Sequence, residues 1–174
     1  MNTATITSTL TMLMSELVDG TPPTGGHMLN RGDVGLLRSL DRISADDASQ
    51  IIDAGSSIAA HVDHMIYYTQ LMNRWAAGET NPWRDADWTA SWQRTSVTEK
   101  EWKELRRSLE REGHKWMGIL DQPREVSERE LAGIIASIAH LAYHVGAIRQ
   151  MDRNLGGPSA NNEQDAFTSP ASPP

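Results

Sequence analysis

The chain has no cysteine and only one phenylalanine in 174 residues. Without cysteine there are no disulfides, no thiolate metal sites and no cysteine nucleophile. Positive charge is also scarce, with 16 Lys and Arg against 23 Asp and Glu and a formal net charge of −7. No dense basic cluster and no interleaving of basic with aromatic residues occurs, so nucleic acid is not an expected partner. No run approaches about 18 continuous apolar residues, so no membrane-spanning helix or membrane partner is expected. The stretch "MNTATITSTLTMLMSELVDG" lacks a charged n-region and a long apolar core. No signal peptide is therefore expected, and cytoplasmic localisation is the default. Strand-like alternation is nearly absent as well, leaving an all-α chain as the expectation.

What is present is helical periodicity in long blocks. Residues 5–18 carry Leu10, Leu13, Met14 and Leu17 at helical spacing, and "GTPPTGG" after them reads as a loop. A shorter piece, "DVGLLRSLDRIS", places Val34, Leu37, Leu40 and Ile43 in phase, and Ser44 is suited to cap a brief turn after it. A second long helix is expected over residues 57–77, with Ile58, Met65, Tyr68, Met72 and Trp75 on its apolar face. Capping boxes at Thr98–Glu101 and Ser127–Glu130 open two further long helices. The third is expected to bury Trp102, Leu105, Leu109, Trp116 and Leu120. The fourth, reaching about residue 155, has the stripe Ile134, Ile138, Leu141, His144, Ile148 and Met151. Arg149 and Arg153 complement its C-terminal dipole.

The expected architecture is a four-helix bundle over residues 1–155 with a short extra helix between helices 1 and 2. Residues 156–174, rich in Pro, Ser and Asn, read as a disordered tail. Three of the six tryptophans, Trp83, Trp88 and Trp92, fall in the connection of residues 78–96. That segment is expected to cap the bundle end or a dimer contact in preference to walling a pocket.

The chemistry-bearing residues are histidines. His140 and His144 stand four apart on one helix face, and helix two carries His61 and His64 on its apolar side. Neutral imidazoles on facing helices suit a divalent ion, with three protein ligands leaving an open position. Histidines bonded to carbonyls or water inside a core give the same pattern. Two metal chemistries are excluded. No Glu lies three residues before any histidine, as a carboxylate-bridged di-iron bundle needs, and Leu141 stands where a zinc-protease motif has glutamate. His27, in a loop, and His114, among charges on helix three, are expected to be solvated. Tyr67, Tyr68 and Tyr143 are candidates to bring a hydroxyl near an open position.

These features resemble the DinB-like superfamily, which includes YfiT-type proteins and thiol-dependent transferases. The likeness lies in "SIAAHVDHM", with Ser57, His64 and Met65, and in "HLAYHVGAI", with His140, His144, Gly146 and Ile148. The segment "GLLRSLDRISADDASQ" is also similar to the one before helix two in many relatives. The resemblance covers about residues 5–155. It implies one divalent ion (Zn, Ni or Fe) held by His64, His140 and His144, with His61 competing for the helix-two position. Ala147 departs from the pattern, since many relatives have Gln there. The implied activity is a metal-dependent transfer or isomerisation using a low-molecular-weight thiol, or hydrolysis of a small-molecule substrate. The implied assembly is a homodimer. The alternative is a non-catalytic bundle that binds a metal or a small molecule.

Overall fold

The computed structural model describes residues 3–51, 55–122 and 125–152. Six α-helices account for nearly all regular structure: α1 (Thr3–Asp19), α2 (Gly35–Leu40), α3 (Ala45–Ala48), α4 (Ile58–Ala76), α5 (Glu99–Leu120) and α6 (Glu128–Met151). One 3₁₀ turn, Ala90–Trp92, lies between α4 and α5, and no strand occurs among the described residues. Arg153 and the tail expected over residues 156–174 lie outside the described residues.

The sequence-encoded caps are in place. The Ser44, Ser57, Thr98 and Ser127 side chains each accept a backbone N–H of the helix that follows. Glu101 and Glu130 return the bond to complete both capping boxes. Two short helices, not one, separate the first two long ones, because the Ser44 cap nucleates a separate turn. Leu40 and Ile43 of the expected α2 face lie in the core, and Leu36 joins them. Leu37 is only partly covered. Gly35 has φ +75°, and a Cβ there would run into the backbone of Asp19 and Gly20.

The four long helices share one core, with α1 and α4 each packed against both α5 and α6. Their directions follow from the contacts. Along α4 the residues His61, His64 with Tyr68, and Trp75 meet His144, His140 and Gly133 in turn, so α4 and α6 run antiparallel. Asp63 and Gln70 of α4 line a groove with Glu101 and Ser108 of α5, and Asn73 bonds Glu112 farther along both helices. These two therefore run parallel, and residues 77–98 form the crossover between them. Trp102 and Trp116, almost fully buried, anchor α5 by donating their indole N–H to the Ile43 carbonyl and the Ser137 hydroxyl.

Three polar residues hold the loop between α1 and α2. Glu16 is 2% exposed and its carboxylate accepts the backbone N–H groups of His27, Met28 and Leu29 at 2.6–2.8 Å. Arg149 of α6 is buried and donates to Asp33 at 2.8 Å, where Asp33 also accepts the Gly35 N–H. Arg149 lies in the last turn of α6, as the dipole reading expected, and adds to it a buried ion pair. By length and composition α6 is apolar enough to cross a membrane, contrary to the expectation from run length, and 39% of that window is buried. Its Ile134, Ile138, Leu141, Val145 and Ile148 face the core.

Candidate metal centre

The antiparallel pairing of α4 and α6 brings four histidines together. On α6, His140 and His144 are one turn apart, with Nε2 atoms 3.0 Å from each other. From α4, His64 points its Nε2 at that of His140, 3.4 Å away. His64 and His144 are buried and His140 is half-buried. One ring nitrogen from each of the three lies within 4.8 Å of the other two, the spacing of a candidate metal site.

The donor set fits such an ion. Imidazole nitrogens about 2.0–2.1 Å from a tetrahedral Zn²⁺ stand about 3.3 Å from one another. The observed Nε2 separations of 3.4 and 3.0 Å bracket that value. The rings are also in the protonation state that an ion requires. Burial, followed by the nearby His140 and His61, pushes His64 down to about 4. Burial, followed by His140, His61 and His64, pushes His144 down to about 3. Burial alone lowers His61 and His140. Near neutral pH the cluster is therefore uncharged and presents lone pairs.

His61, the competitor for the helix-two position, has a different neighbour. Its Nδ1 is 2.9 Å from Nδ1 of His144, the nitrogen of that ring that is not shared with His140. His64 is fixed in a similar way: its Nδ1 is 2.8 Å from Ser91 Oγ, and the Ser91 hydroxyl donates to the Trp88 carbonyl.

Ser91 belongs to the tryptophan-bearing crossover, which forms a wall of the cluster. Trp92 stacks on His64 with centroids 4.3 Å apart, and its edge meets His61 at 5.0 Å. Trp88, 40% exposed, lies beside His64 and Tyr67. The expected capping role applies only to Trp83, which packs against Trp75 at the far end of α4. Trp92 takes the wall position because the 3₁₀ turn Ala90–Trp92 packs directly on α4.

The tyrosines divide. The Tyr68 ring covers His140 at 4.2 Å, and burial raises its hydroxyl above the ordinary value. The Tyr67 hydroxyl instead accepts the Asp87 N–H. Tyr143 stands 67% exposed with its edge on His144. Below His140 is a cavity of about 10 Å³, room for about one water, lined by residues that include Met14, Met65, Met72 and Trp116. His27 and His114 are exposed and outside the cluster, His114 pairing with Asp19. Ala147, half-buried on α6, lacks any side-chain polar group to offer the site. Ser91 was not singled out in the sequence; a serine in a loop carries no signal until the crossover is folded.

No family model, characterised protein or solved structure matches the chain.

Proposed function

We propose that the chain is a soluble, cytoplasmic four-helix-bundle protein of the DinB-like type whose His64, His140 and His144 hold one divalent ion (Zn, Ni or Fe). The observation that carries this reading is the convergence of three neutral Nε2 atoms from two antiparallel helices. The parallel α4–α5 pair with its long crossover and the capped α4 and α6 agree with a bundle that builds its site from facing helices.

An ion at this position would supply Lewis acidity, lowering the pKa of a thiol or water. The chain's own residues limit what it serves. His64 and His144 are deeply buried, while His140 and the exposed Tyr143 and Trp88 open toward solvent. The surrounding rings of Tyr68, Trp88 and Trp92 carry no charge and exclude water from one side. Among the described residues, no carboxylate bonds the cluster. The reading is therefore a transferase or isomerase that presents a low-molecular-weight thiol to an electrophilic small molecule, or a hydrolase. Without an evident acid–base partner, the second reading is a metal- or small-molecule-binding bundle that performs no catalysis.

A homodimer is part of the proposal. The outer face of α6 presents Ala132, Ile135, Ala136, Ala139 and Tyr143 with no charge among them. Light scattering of the wild type and of Ile135→Asp tests it; a wild-type monomer rejects it.

Metal analysis of protein purified without an affinity tag tests the site. One ion per chain, lost in His140→Ala, supports it, and no ion in the wild type rejects it. A panel of thiols and electrophiles then compares wild type with His144→Ala. Equal rates in the two favour the non-catalytic reading.

A further inference from the structure

We infer that His61 is a positioning residue for the centre: it accepts a hydrogen bond from His144 and so fixes the tautomer that leaves the His144 Nε2 lone pair facing His64 and His140. The inference rests on the metal reading above. It follows from counting hydrogens. A neutral imidazole has one N–H and one lone pair, and a ligating nitrogen must offer the lone pair. With Nε2 of His144 committed to the centre, its hydrogen sits on Nδ1 and points at Nδ1 of His61, 2.9 Å away. His61 then accepts, and its own hydrogen moves to Nε2.

The opposite polarity disables the site. If His61 donated from Nδ1, His144 would carry its hydrogen on Nε2 and aim it at His140. Ser91 applies the same constraint to His64. Its hydroxyl is already donating to the Trp88 carbonyl, so it accepts the His64 Nδ1–H and leaves the Nε2 lone pair inward. His140 has no Nδ1 partner among the described residues. Its Nε2 is 3.0 Å from that of His144 and 3.4 Å from that of His64. In the ion-free protein one hydrogen on His140 Nε2 satisfies both neighbours. Two of the three rings are thus preset, and only His140 changes tautomer when an ion enters. Groups that orient metal-bound histidines are usually carboxylates or carbonyls; here the acceptor is His61, three residues before His64 on α4, a neutral imidazole beside Trp92 with ring centroids 5.0 Å apart.

The test combines ring ¹⁵N NMR with Zn²⁺ affinity measured against a chelating dye. In ion-free protein the spectra should show hydrogen on Nδ1 of His64 and His144 and on Nε2 of His61 and His140, and Zn²⁺ should switch His140 alone. His61→Leu should weaken Zn²⁺ binding about 10–100-fold while keeping the wild-type helical spectrum. His61→Asn, whose amide oxygen can stand where Nδ1 was, should recover most of that loss. A His61 ring protonated on Nδ1, or a His61→Leu variant that binds Zn²⁺ like the wild type, overturns the inference. Should His61→Leu fail to fold, the wild-type spectra decide. Wild type that takes up no Zn²⁺ rejects the metal reading itself and this inference with it. Equal affinities in wild type and His61→Leu reject the inference alone.

Discussion

Trp92 lies flat against His64, their ring centroids 4.3 Å apart and their planes 21° from parallel. A residue of the crossover thus covers a ring that α4 points inward, and joins that crossover to the histidine cluster. Trp92→Ala removes this cover. The expected cost is about 1–3 kcal/mol, from a half-buried indole and its ring contacts, read as a lower urea midpoint. The His64 pKa should also rise from about 4 toward its ordinary 6.5, since burial is its largest depressing cause. NMR titration checks this; an unmoved His64 would mean that Trp92 contributes nothing to its desolvation.

Stability of the ion-free protein should depend on pH in a window set by the four histidines. Each has a folded pKa below the ordinary 6.5, so the unfolded chain binds protons first as pH falls. Their contribution is complete above about pH 6.5 and is lost progressively as pH drops toward about 4 for His64 and about 3 for His144. The urea midpoint should be level from pH 8 to 7 and decline between 6.5 and 5, above the ordinary carboxylate range of about 4. His144→Phe should flatten that decline. A midpoint unchanged between pH 7 and 5 would contradict the assigned burial.

Asp33 and Arg149 form an ion pair with side chains only 14% and 10% exposed. Removing one partner strands the other, so Asp33→Ala should destabilise by about 3–5 kcal/mol. Adding Arg149→Met should recover part of this loss. A double-mutant cycle measures the coupling, and additive losses would show that the pair does not act as one.

Glu16 should be a structural carboxylate. Glu16→Gln leaves one acceptor oxygen where two now take three backbone N–H groups, an expected loss of about 1.5–3 kcal/mol. Amide exchange should accelerate at His27, Met28 and Leu29 before it does in α5. Uniform acceleration across the chain would place the effect in global stability alone.

Those residues also mark where sequence reasoning ends. Long helices, their caps at Ser44, Thr98 and Ser127, and the buried stripes of α5 and α6 are local properties, encoded within a few turns, and all were legible. So were histidines on the facing sides of α4 and α6, because helical spacing fixes which face each occupies, while the resemblance and not the spacing pointed to His64 beside His140 and His144. Long-range partners were not. Arg149 finds Asp33 across 116 positions, and Ser91 and Trp92 reach His64 only after the crossover has been placed by the parallel α4–α5 pairing. His61 and His64 looked equivalent on one helical face. Only the partner helix separates them, by offering Nδ1 of His144 to one and Nε2 of His140 to the other.

The most direct measurement is anomalous diffraction from crystals of the untagged protein grown with Zn²⁺, collected on both sides of the zinc absorption edge. One peak per chain, coordinated by Nε2 of His64, His140 and His144 with His61 outside the coordination sphere, is the expected result. An empty cluster at saturating Zn²⁺, or a peak ligated by His61 in place of His64, would contradict it.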